Sequence, residues 1–214
     1  MRICKPLLAA LLSVLTIGAN AAVNEAKTQI TAGQFTPIAP PTTVTFDSDI
    51  PAGIHYEGLN LVSGSEQNNY EAPAFDTTKY LRTGCCGGST TVTFDSGFGA
   101  SYFGFYLGSA DASNTLTVYS SDGTSRVYAE GELASLVPSG AVGGSYYLGL
   151  YSTAGSVFTR IEFNTINPME TDNHAFILAA VPEPETYAMM LGGLALVGMA
   201  ARRRAAKTSA AAQA

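Results

Sequence analysis

The chain has 214 residues, 46% of them hydrophobic and 13% charged, with three cysteines and a formal net charge of −6. That length allows one domain or at most two. With both ends set aside as address, residues 22–181 keep five basic residues against fifteen acidic ones, a formal −10. This excludes a phosphate-binding surface of clustered Lys and Arg, and with it nucleic acid as a partner, and favours solubility or the capture of cations.

Met1, Arg2 and Lys5 form a short basic start, Leu7 to Ile17 an apolar run, and Ala19-Asn20-Ala21 a small-residue cleavage site. The layout is that of a secretory signal peptide over residues 1–21, a signal helix cut after Ala21 by way of the Sec export machinery. Cys4 leaves with it. Residues 22–42 carry Pro37, Pro40 and Pro41 and little periodicity, which predicts a loosely ordered lead-in.

A β domain is expected over 43–180. Thr43 to Asp47 alternates apolar and polar side chains as a half-buried strand does, and Ile54 to Val62 adds one or two short strands around Gly58. Residues 63–79 read as the longest surface loop, the kind that often carries function. Further strands are predicted at Thr91–Asp95, Ser101–Leu107, Asn114–Ser120, Ser125–Glu130, Ser145–Tyr151, Val157–Phe163 and Ala175–Ala180. Asp122-Gly123 marks a hairpin between two of them, and Gly131 to Ser135 suits a single helical turn. Val157, Thr159, Ile161 and Phe163 are expected on one face, with Phe158, Arg160 and Glu162 on the other. Many short strands with Gly-rich turns make the fold class all-β, an antiparallel β-sandwich of jelly-roll-like kind. The hexamer Thr43 to Ser48 recurs letter for letter at Thr91 to Ser96; its flanks do not match, so it reads as two strands of similar environment.

Catalytic patterns are nearly absent: there is no Gly-x-Ser-x-Gly elbow, no zinc helix and no phosphate-cradling loop. His55 and His174 stand far apart and read as hydrogen-bonded loop or core residues. We therefore expect no enzyme and no catalytic residue. Cys85 and Cys86 are adjacent, with Cα atoms about 3.8 Å apart against roughly 4.4–6.8 Å for an ordinary disulfide. The options are a strained vicinal bond, two free thiols, or bonds to another molecule. No cofactor is expected, although Asp47 with Asp49, Asp95, and Asp111 with Asn114 are oxygen donors of the type structural Ca²⁺ takes. The competing reading of those residues is turn chemistry. Tyr102, Tyr106, Tyr146 and Tyr147 would make a stacking platform for exopolysaccharide if they face solvent, or cross-strand core pairs if they do not.

The tail begins with Val181-Pro182-Glu183-Pro184, whose prolines fix φ and remove donors, giving an extended tether. From Tyr187 to Ala201 no residue is charged, and a helix over 187–201 would be about 22 Å long, short for a hydrocarbon core of roughly 30 Å. Arg202, Arg203 and Arg204 would keep residues 205–214 as a cytoplasmic tail by the positive-inside rule. The expected architecture thus ends in a short C-terminal transmembrane helix. The order Val-Pro-Glu-Pro, short apolar helix, Arg cluster over residues 181–204 resembles the PEP-CTERM sorting signal of Gram-negative bacteria.

That resemblance implies an exosortase that recognises and cuts the Pro-Glu-Pro element, a transient inner-membrane intermediate, and delivery to the cell surface or extracellular matrix. A second likeness rests on Asp76-Thr77-Thr78-Lys79-Tyr80-Leu81, on Tyr102 to Asp111 and on Asn114-Thr115-Leu116. These runs are similar to a subgroup of exosortase-dependent surface proteins that usually end in a Phe-Glu-x-Asp-Asn strand, where this chain has Phe176-Ile177-Leu178-Ala179. The expected function is a non-catalytic exported surface or matrix protein. The alternatives are a carbohydrate-binding module for exopolysaccharide and, third, a secreted hydrolase.

Overall fold

A computed structural model describes residues 28–36, 38, 42–84, 88–129, 131–181 and 189–199. The strands are β1 (Thr28–Thr31), β2 (Thr42–Val44), β3 (Ile54–Glu57), β4 (Leu61–Ser63), β5 (Lys79–Thr83), β6 (Ser89–Phe94), β7 (Phe98–Leu107), β8 (Asn114–Ser120) and β9 (Ser125–Tyr128). One helical turn, α1 (Glu132–Ser135), precedes β10 (Tyr146–Tyr151), β11 (Phe158–Thr165) and β12 (Met169–Ala180). All ladders are antiparallel.

One wing runs β3-β6-β11-β8-β9. The other runs β1-β10-β7-β12, with β2 and β5 sharing the far edge of β12 and β4 beyond β5. A single pair, Phe158 with Ala100, joins the wings. The two separate sheets expected of a jelly-roll-like sandwich are therefore one continuous sheet, curled into a half-barrel. The physical cause lies in β11, whose register slips between Phe158 and Arg160. Such a bulge bends a strand and raises its twist, so β11 turns the corner toward β7 instead of ending a layer. The bulge also turns Phe158 inward, to 1% exposure, against the face expected for it.

The curled wings close on an aromatic core. Phe105 and Phe103 of β7 meet Phe163 of β11 edge-on at 5.3 and 6.1 Å, and Phe94 meets Phe176 at 5.8 Å. His174 lies within this group, buried, bonded through Nδ1 to the Tyr56 hydroxyl at 2.9 Å and through Nε2 to Thr171 Oγ1 at 3.0 Å. It is a core histidine, and burial lowers its pKa to about 3. His55 is exposed and paired with Asp95 at 2.7 Å.

Alternation sends Tyr102, Tyr106 and Tyr147 to the opposite face of β7 and β10, where they cluster with Ala175 and Ile38. All three are buried, as is Tyr146 on the core side. They are core pairs, and the stacking platform built on these four residues is withdrawn. The covering comes from the stretch expected to be a loose lead-in: β1 extends the sheet at β10, and Thr36 Oγ1 bonds the Tyr102 hydroxyl at 2.8 Å.

In the tail, residues 189–199 are helical and their apolar side chains exposed. Among the described residues no helix is long and apolar enough to cross a membrane. Of the transmembrane helix expected over 187–201, the described residues 189–199 are helical, about 16 Å at 1.5 Å per residue, which does not span a hydrocarbon core. Ala19, Ala21, Cys85, Cys86, Pro182, Glu183, Pro184, Arg202, Arg203 and Arg204, the signal peptide over 1–21 and the tail over 205–214 lie outside the described residues.

Candidate functional site

Polar chemistry concentrates where the long loop 63–79 folds back on the first half of β12. The loop is pinned from several sides. Tyr80 donates its hydroxyl to the Gly64 carbonyl, Ser65 Oγ accepts from Ala72 N–H at 2.9 Å, and Ser145 Oγ accepts from Ala74 N–H at 3.0 Å. The Ala74 carbonyl in turn accepts from the Tyr106 hydroxyl at 2.9 Å and from Gln34 Nε2 at 3.0 Å. Hydrogen bonds at both strands and at the lead-in fix the loop as part of the fold.

Two clefts result. The larger, about 520 Å³, lies between Ser65–Glu71 of the loop and Ser109, Asp111, Pro168 and Glu170. Glu170 is buried and accepts from Ser109 Oγ at 3.3 Å; burial raises its pKa. Arg82 reaches over the Tyr70 ring at 5.3 Å and bonds Asn69 Oδ1 at 2.5 Å, holding the outer wall.

The smaller cleft, about 300 Å³, lies between the lead-in, the end of β2, the loop and β12, and is lined by Gln34, Phe35, Asp47, Phe75, Asp76 and Asp172 among others. Asp172 is 3% exposed. Burial pushes its pKa up to about 8, helped by Asp76 and then Asp47, while the Asn173 backbone N–H pulls it down. Asp172 Oδ1 and Asp76 Oδ2 are buried without a hydrogen-bond partner. The residues beside the three acids, Phe46, Phe75 and Asn173, have φ of 59°, 66° and 51°. Non-glycine residues rarely adopt that region, asparagine more readily than a bulky residue such as phenylalanine, and strain of this kind gathers at functional sites. Phe35 and Phe75, which also line the cleft, are 61% and 71% exposed.

Of the oxygen donors picked from the sequence, Asp47 lines this cleft and accepts from Lys79 N–H at 3.0 Å. Asp95 is spent on His55, and at Asp111 it is the backbone carbonyl that closes a turn, accepting Asn114 N–H at 3.1 Å. Asn114 is buried, donating to the Ser109 carbonyl and accepting from Thr165. Among the described residues no group of three or more His, Cys, Asp or Glu side chains forms a ready-made metal centre. Asp76, Glu170 and Asp172 escaped sequence reasoning as site residues. The signal was present: the Glu-x-Asp-Asn order sought at Phe176–Ala179 stands at Glu170, Asp172 and Asn173, with Met169 in the place of phenylalanine.

At the other end of β12 the last strand runs directly into the tail. Ala180 closes the strand, and Val181 N–H donates to the Gly97 carbonyl at 2.9 Å. Residues 180–204 match the PEP-CTERM protein-sorting motif. The chain carries that exosortase sorting signal. The motif marks an exported protein and says nothing of what its β domain binds. No curated protein matches the chain. Among solved structures, one recorded as "Peptidoglycan O-acetylesterase in action, 5 min" aligns with 64% of this chain at 20% identity, with a TM-score of 0.33. The aligned part spans 33% of that protein's length, a likeness too loose to bear on fold or activity.

Proposed function

We propose that the PEP-CTERM chain is a non-catalytic envelope or matrix component. Its acidic β domain is exported, engaged by an exosortase at the membrane, and released or attached at the surface after a cut at Pro182-Glu183-Pro184. The junction is the observation that supports this reading most directly. β12 ends at Ala180, Val181 N–H bonds the Gly97 carbonyl, and the matched segment 180–204 thus begins where the described sheet ends. A cut among the prolines therefore costs the domain no strand and no core residue among the described residues, so folding and sorting are separable. Replacing Pro182, Glu183 and Pro184 together by alanine should leave uncleaved precursor in the membrane fraction of the native host. Normal processing of that variant would sink the proposal.

A second reading, a carbohydrate-binding module, draws support from Phe35 and Phe75. Exposed rings flanking a cleft floored by carboxylates and amides suit a sugar, whose C–H face packs on an aromatic while its hydroxyls find hydrogen-bond partners. Phe75→Ala removes an exposed ring and should leave the fold intact. Under this reading it lowers co-sedimentation with exopolysaccharide purified from the host; equal co-sedimentation of the two proteins discards it.

A further inference from the structure

The floor of the 300 Å³ cleft is where the molecule leaves hydrogen-bonding capacity unused. Asp172 is almost wholly enclosed; its Oδ1 and Asp76 Oδ2 meet no donor from any other group, and the two carboxyls lie within hydrogen-bonding reach of each other. Buried polar atoms are nearly always satisfied, so each orphan needs a reason. Nearby donors are committed elsewhere: Asn173 Nδ2 to the Gln34 carbonyl, Gln34 Nε2 to Ala74, and Lys79 N–H to Asp47. Asp76 spends its other oxygen on the N–H and hydroxyl of Thr78, both at 2.8 Å.

The residues lining the cleft supply three carboxylates, from the end of β2, from the loop and from β12, and include no Lys, Arg or His. Among the described residues, no basic side chain lines the cleft to compensate them. A donor set of carboxylate, amide, hydroxyl and carbonyl oxygens, without sulfur or imidazole, suits a hard cation and not zinc or copper. Calcium takes six to eight oxygens, carbonyls and waters among them, so it does not require three carboxylates converging on one point. Magnesium, which demands near-ideal octahedral geometry, suits an irregular cleft less well.

We infer that this cleft binds one calcium ion, with Asp172 Oδ1 and Asp76 Oδ2 as its buried anionic ligands and Asp47 facing them. The ion would tie together three segments distant in sequence, and so stabilise the domain by mass action. The inference stands on the orphaned oxygens and is independent of the sugar reading.

The test uses the full chain, stripped with EDTA, exchanged into chelator-free buffer and titrated with calcium chloride by calorimetry, with thermal melts in parallel. One equivalent of Ca²⁺ should bind, and the melting temperature should rise with its concentration. Asp172→Asn and Asp76→Asn should each weaken binding at least about tenfold, since each removes one anionic ligand. Asp111→Asn, on the other cleft, should bind like the parent. If Asp172→Asn does not fold, the more exposed Asp76→Asn still decides the matter. Absence of binding at about 10 mM calcium, well above the range of weak extracellular sites, overturns the inference. So does undiminished binding by a folded Asp76→Asn variant, or equal binding of magnesium.

Discussion

Asp172→Asn, measured in EDTA, should change how stability depends on pH. Burial, then Asp76 and Asp47, push the native pKa of Asp172 up to about 8, whereas an unfolded aspartate titrates near 3.9. Between those values the native state holds a proton that the unfolded chain has released. The stabilising contribution is therefore whole below about pH 4 and is lost as pH rises through about 8. Across that window the slope is at most about 1.4 kcal/mol per pH unit, or roughly 3–6 °C in melting temperature for a domain of this size.

His174 works in the opposite sense. Its native pKa is lowered to about 3 by burial, so its contribution is present above the unfolded value near 6.5 and fades as pH falls toward 3. The two slopes oppose each other from about pH 4 to 6.5, and only that of Asp172 acts from about 6.5 to 8. The parent protein should thus show a shallow profile below pH 6.5 and a fall above it, and the asparagine variant should lack the fall. Thermal melts by circular dichroism at four or five pH values suffice. Parallel curves for the two proteins would refute the assignment of Asp172 as a protonated buried acid.

Two other substitutions probe the packing that sets up the site. Gly104 faces Gly149 across the β7–β10 ladder, and a Cβ on Gly104 would sit 2.6 Å from the Tyr102 hydroxyl and 2.6 Å from Tyr147 Cε1. Both rings are buried, so Gly104→Ala should cost about 1–3 kcal/mol through overpacking, read from urea unfolding midpoints; an unchanged midpoint would mean the tyrosines are free to move aside. His174→Ala would open a cavity beside Phe103, Phe163 and Phe46 and strand the Tyr56 and Thr171 hydroxyls. A loss of about 3 kcal/mol or more is expected, and a loss below about 1 kcal/mol would contradict its place in the core.

Local physics was readable residue by residue. Asn114–Ser120 is a strand over the predicted span, and Asp122-Gly123 turns it back, with Thr124 N–H bonded to Asp122 Oδ1 at 2.9 Å. Alternation and turn chemistry act within a few residues, so sequence alone exposes them. Met169 to His174 was not readable as strand, because Glu170, Thr171, Asp172, Asn173 and His174 form a polar run without alternation. Those side chains are buried by neighbours from β5, β7, the loop and the lead-in, none of them adjacent in the chain. β1 and β5 went unseen for a related reason, since β1 lies in a stretch with little periodicity and β5 adjoins the polar loop, and each is placed by its pairing with a distant strand.

Sequence by itself determined the address and the chemistry of single elements. The Pro-Glu-Pro tail is a contiguous sequence signal, matched over residues 180–204 without reference to the fold. Only the tertiary structure decided that the sheet is one curled surface, that the tyrosines are covered, and that Asp47, Asp76 and Asp172 line one cleft. Those outcomes depend on which segments pack against which, through long-range burial and the β11 bulge. An acid 3% exposed with an unmatched oxygen is a property of its surroundings, not of its place in the chain.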